Sequence, residues 1–172
     1  MNLDELATKE QQLYSSVIKL DGTIEEKSDK VVYFGITKEY QKIHQEYSRL
    51  AKNDLEALKR GLFLMWHSIS EPTWLTGIGE LETESEERII KILDRRLKRG
   101  INDYELDWML DYYSSWDYVF ERFSDFKSFQ NRLKSESKTE LPDRIDREKM
   151  GQRGQMGIYW NSLTMFNKET CS

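Results

Sequence analysis

The stretch Thr83-Glu84-Ser85-Glu86-Glu87-Arg88-Ile89-Ile90-Lys91-Ile92-Leu93-Asp94-Arg95-Arg96-Leu97-Lys98-Arg99-Gly100 decides the class of fold. Ile89, Ile90, Leu93 and Leu97 recur at the spacing that lines one face of an α-helix. Thr83 and Glu86 form a capping-box pattern at its start, and Gly100 supplies a stop. Acidic residues fill the first turn and basic ones the last, both favourable for the helix dipole. Glu84–Arg88 and Glu87–Lys91 are i,i+4 pairs in the stabilising orientation.

The same periodicity recurs on both sides. Leu3, Leu6, Leu13, Tyr14, Val17 and Leu20 make one stripe, opened by Asn2 with Glu5 three residues on and closed by Gly22. A second helix is expected from Thr37 to Lys52 with Tyr40, Ile43, Tyr47 and Leu50 inward. Asn53 caps a third, with Glu56 at its third position, and Pro72 ends it. Phe63 and Leu64 widen its apolar face, which marks it as the central helix. Asn102 caps a fifth helix carrying Leu106, Met109, Leu110 and Tyr113. Tight turns at Asn53 and Gly100–Asn102 fold neighbouring helices back on each other.

Val31 to Ile36 is compatible with a strand or the end of a short helix, and a lone strand would lack a partner. Trp116 to Leu133 spaces its aromatics as a helix broken near Ser124–Asp125. The expected architecture is therefore all-α, an antiparallel helical bundle or short helical-pair array with an irregular C-terminal extension. Residues 1–133 form the helical domain, 134–157 a polar connector, and 158–172 a C-terminal docking segment. Leu58-Lys59-Arg60-Gly61 recurs as Leu97-Lys98-Arg99-Gly100, but the match extends only one apolar position further, so chance explains it.

Only four Val and two Pro occur in 172 residues, which argues against an all-β chain. With 26 basic and 31 acidic side chains the formal charge is −5, the wrong sign for broad nucleic-acid binding, so nucleic acid is not the expected partner. Basic Arg95, Arg96, Lys98 and Arg99 are explained by the helix dipole. The longest apolar run, Leu62 to Trp66, is far too short to span a bilayer, and Met1 to Leu20 lacks the pattern of a signal peptide. The single Cys171 reads as an incidental tail thiol and suits a reducing compartment, so the cytoplasm is the expected location.

Motifs for chemistry are sparse. There is no His-Glu-x-x-His, no calcium loop and no phosphate loop, since Thr76-Gly77-Ile78-Gly79 lacks the third Gly and the Lys. Neither a metal nor a cofactor is expected. Asp103, Asp107 and Asp111 read as a solvated acidic face. His67, with Trp66, Glu71 and Trp74, outlines an inter-helix pocket for a small molecule or a substrate. The larger signal is aromatic: Trp108, Tyr112 and Trp116 follow at i, i+4 and i+8, with Tyr159 and Trp160 after the connector. As exposed anchors on an acidic surface they would suit a basic protein partner, making the chain an inhibitor, adaptor or antidote-like protein without catalytic activity. The C-terminal segment would fill that groove in the same chain, or in a second copy to give a homo-oligomer.

Overall fold

Eleven consecutive residues, Ala57 to His67, are buried on helix α4 (Leu55–Ser70), and the other helices are arranged around it. The computed structural model describes residues 1–136, 140–142 and 145–169. Within them the chain is all-α, with no strand. Helices α1 (Leu3–Ile18), α2 (Ile24–Tyr33) and α3 (Ile36–Leu50) precede α4, followed by α5 (Thr73–Thr76), α6 (Thr83–Lys98) and α7 (Tyr104–Tyr113). A 3₁₀ segment (Asp117–Phe123), α8 (Lys127–Leu133), α9 (Arg147–Gly151) and α10 (Gly154–Glu169) complete the order. Helix α4 touches α3, α5, α6, α10 and the 3₁₀ segment. Gly61 lets α6 approach closely, because a methyl there would meet the Ile89 side chain at 2.7 Å.

Local chemistry sets most helix starts. Asn2 and Glu5 make the expected reciprocal cap, and Thr23 with Glu26 makes another at the head of α2, a helix the periodicity did not isolate. Elsewhere the cap is displaced by one residue. Asp54, not Asn53, caps α4, and Asp103, not Asn102, caps α7. Glu82, not Thr83, precedes α6 without a side-chain cap, and Glu86 turns inward to pair with Arg122 instead of closing a box. Gly100 does adopt the left-handed conformation expected after the helix end.

Val31 to Ile36 resolves into the last turn of α2, a left-handed Gly35 and the first residue of α3. The break near Ser124–Asp125 is present, with 3₁₀ geometry before it and α8 after. Helix α8 packs on both α6 and α7, so the turn at Gly100–Asn102 does not simply double α7 back along α6. The stretch read as a connector becomes helical at Arg147, and Met150, Gln155 and Met156 within it are buried. Helix α10 seats on α1, α9 and α4 of its own chain. The side chains of Met165 and Phe166, and Cys171, lie outside the described residues. No helix among the described residues is long and apolar enough to cross a membrane.

Ion pairs tie the C-terminal helices to this frame. Arg153 bridges Glu56 of α4 and Glu105 of α7, while Lys59 pairs with Asp103 and Glu105, both at 2.7 Å. Asp107 and Asp111, expected to face solvent, both pair with Arg132.

Candidate functional site

The two residue sets singled out in the sequence meet in one aromatic cluster. Trp66 sits at its centre, stacked on Tyr113 at 5.0 Å and edge-on to Trp116 and Tyr159 at 5.2 Å each. Trp108 meets Trp160 edge to face at 4.8 Å. The Tyr112 and Tyr159 hydroxyls hydrogen-bond at 2.7 Å across the α7–α10 seam. Trp108 and Trp160 are buried core residues, whereas Tyr112, Trp116 and Tyr159 are half-buried. The expected row of exposed anchors is therefore an internal seam: α10 fills the groove from within the same chain, and the surplus aromatic surface is consumed.

At the edge of this cluster lies a cleft of about 160 Å³, walled by Tyr14, His67, Glu71, Leu75, Thr76, Gln155, Ile158, Tyr159 and Ser162. Of the predicted pocket, His67 and Glu71 line it. Trp66 lies behind His67, stacked at 5.5 Å, and half-buried Trp74 sits on α5 outside the wall. Helix α4 ends at Ser70, so Glu71 leaves the helix and reaches the cleft from extended backbone. The Nδ1 of His67 is enclosed with no hydrogen-bond partner, and burial pushes the imidazole pKa down to about 3. The neutral ring offers a hydrogen bond but is far too weak a base for proton abstraction near neutrality.

Behind the cleft a buried polar network holds α10 in place. The Gln155 backbone N–H donates to Glu10 Oε2 at 3.0 Å, so a carboxylate of α1 caps a helix 145 residues away. Tyr47 donates its hydroxyl proton to the same carboxylate, and the Gln155 side chain donates to the Tyr40 hydroxyl and the Thr76 carbonyl. Gly154, at φ +63°, is required here: a Cβ would sit 2.6 Å from the Glu10 carboxylate. Burial raises the Glu10 pKa to about 7, opposed by the hydrogen bonds from Tyr47 and Gln155 and by Arg60.

A third feature is fully outside. Helix α2 buries Val31 but leaves Val32, Tyr33 and Phe34 at 63%, 83% and 61% exposure. Tyr33 and Phe34 meet edge to face at 5.4 Å on the α2–α3 corner. Residues 21–34 carry Asp21, Glu25, Glu26 and Asp29 against Lys27 and Lys30, and Lys30 is engaged by Asp21 at 2.7 Å. Ile24 on the same helix is also exposed.

Sequence reasoning missed Glu10, Gln155 and this corner. Glu10 was detectable, since it stands on the apolar stripe four residues after Leu6 and three before Leu13. The corner was detectable too, because four successive apolar residues cannot all face inward from one helix. Gln155 left no comparable mark in its polar surroundings. Among the described residues, no group of three His, Cys, Asp or Glu side chains is placed to hold a metal ion. Comparison of the chain with known protein families, curated proteins and solved structures finds no match.

Proposed function

We propose that this chain is a cytoplasmic protein-binding module that acts by recognising a basic protein partner, in the manner of an inhibitor, adaptor or antidote. The observation that carries this reading is the exposure of Val32, Tyr33 and Phe34 in one run at the end of α2, a helix whose first turn carries Glu25 and Glu26. Most other large aromatics of the chain lie wholly or partly in its interior. Exposed aromatic anchors within a like-charged rim are what interfaces use, the rings contributing affinity and the charge contributing orientation and encounter rate. The anchors thus move from Trp108, Tyr112, Trp116, Tyr159 and Trp160 to Tyr33 and Phe34. Its single cysteine suits a reducing compartment.

The test compares wild type with Tyr33→Ala/Phe34→Ala by crosslinking in native cells and quantitative identification of captured proteins. Both side chains are exposed, so helicity and Tm should stay within the small range of surface substitutions. A basic protein held by wild type and depleted at least about tenfold by the double variant supports the reading. An identical captured set overturns it.

The cleft supports a second reading, a site for a small polar molecule, because His67, Glu71, Gln155 and Ser162 bring polar residues together on its wall. Ligand-dependent shifts of the His67 ring signals in NMR would favour it.

A further inference from the structure

Helices α3 and α6 pack together, and two adjoining hollows of about 430 and 420 Å³ open at their C-terminal ends. Lys52, Ile92 and Arg95 line both. Along α6 and its cap, Arg88, Lys91, Arg95 and Arg99 follow at spacings of three, four and four, one cation per turn on a single face. Arg49 and Lys52 join them from α3 and the turn after it. Arg49 and Arg88 have carboxylate partners in Glu46 and Glu84. Among the described residues, Lys52, Lys91, Arg95, Arg96 and Arg99 are in no ion pair, so of the two expected pairs along α6 Glu84–Arg88 closes and Glu87–Lys91 does not, and the Nε of Arg96 is enclosed without a hydrogen-bond acceptor.

The helix dipole accounts for basic residues in the last turn of α6, but not for Lys91 a turn earlier or for Lys52 on another element. The hollows hold one acid among these cations, Asp54, whose Oδ1 accepts from the Glu56 and Ala57 N–H groups at the head of α4, and one acid among five unpaired cations leaves a positive field. The floor beneath them is apolar, with Leu55, Leu58, Ile92 and Ile101. Each hollow lies within the range of about 300–1,000 Å³ typical of small-molecule sites.

We propose that this seam binds a small organic polyphosphate: two or more phosphate groups held by Lys52, Arg95, Arg96 and Arg99, and an uncharged ring body resting on Ile92 and Leu55. Guanidinium groups match phosphate oxygens two at a time. A long nucleic-acid strand fits less well, because no aromatic side chain lines the hollows for base stacking and the chain as a whole repels a polyanion.

The test is calorimetric titration of the full chain with adenosine triphosphate, inorganic pyrophosphate and adenosine, and competition by a single-stranded oligonucleotide of about 20 residues. The expected result is saturable binding of both phosphate probes below about 1 mM and none of adenosine. Lys52→Glu/Arg95→Glu, which changes two exposed unpaired side chains, should weaken it at least about tenfold. Lys52→Gln/Arg95→Gln repeats the measurement without adding negative charge, should the first variant be poorly folded. Absence of saturable phosphate binding, full affinity in the Gln variant, or displacement of the triphosphate by lower concentrations of oligonucleotide would each overturn the proposal.

Discussion

Glu10 makes the stability of this protein depend on pH in the direction opposite to an ordinary salt-bridged carboxylate. Its pKa rises from 4.5 to about 7 on folding, chiefly because burial penalises the charged form. The folded state therefore holds a proton that the unfolded chain gives up between those values. Its contribution is fully present below about pH 4.5 and is lost as pH rises through about 7. A shift of about 2.5 units corresponds to about 3 kcal/mol. Glu10→Gln retains an oxygen that can accept the Gln155 N–H and removes the titration. The measurement is urea unfolding of wild type and variant at intervals from about pH 4 to about pH 8, followed by circular dichroism. Wild-type stability minus variant stability should fall by about 3 kcal/mol across the range. Other titrations, including those of His44 and His67, which burial holds neutral and which act in the opposite sense, are common to both proteins and cancel. A difference that stays constant with pH would refute the assignment of a buried, proton-holding carboxyl at Glu10.

Arg153→Ala removes the cation shared by Glu56 and Glu105. The three side chains are partly buried, so the loss should lie between the surface and buried limits, about 2 kcal/mol in denaturant unfolding. A cost no greater than that of Arg49→Ala on the surface would contradict a structural role. Gly157→Ala places a Cβ 1.8 Å from the Met150 carbonyl oxygen, a backbone atom that cannot swing aside. It should cost about 2–3 kcal/mol and strip hydrogen-exchange protection from α9 and α10 first, and native-like protection there would refute the packing.

The fold was legible where one helix carries both its apolar stripe and its own stop signals. The stripe Ile89, Ile90 and Leu93 is buried as read, and α4 is central because its apolar residues run almost all the way round. Capping was read one residue early at Asn53 and Asn102 because Asn and Asp are interchangeable as local acceptors, and only the backbone geometry chose Asp54 and Asp103. Helix α10 was missed for a deeper reason. Its N-terminal cap is the Glu10 carboxylate, and α8 is served likewise by Asp94, which accepts from the Phe129 N–H at 2.9 Å. A cap supplied from a distant helix leaves no trace in the residues beside the helix it serves. Within the stretch read as a connector, Gly154 makes the left-handed entry to α10, and Gly157 lets α10 lie against the Met150 carbonyl of α9.

The aromatic residues misled for a related reason: periodicity shows that Trp108, Tyr112 and Trp116 form a stripe but not which element covers it. Net charge misled more subtly. Sequence-wide, the chain is acidic, yet many of its acids are committed internally. Glu10 and Glu86 are buried, Glu56 and Glu105 are shared by Arg153, and Asp103, Asp107 and Asp111 are taken by Lys59 and Arg132. At the surface, Lys52, Lys91, Arg95 and Arg99 stand around Ile92 without ion-pair partners among the described residues. A partner responds to that local field within roughly 8 Å, the screening length at physiological salt, and not to the total of −5. A basic protein at the α2 corner and a polyphosphate at the α3–α6 seam are therefore compatible on one chain, and salt should weaken both while substitutions in one leave the other intact.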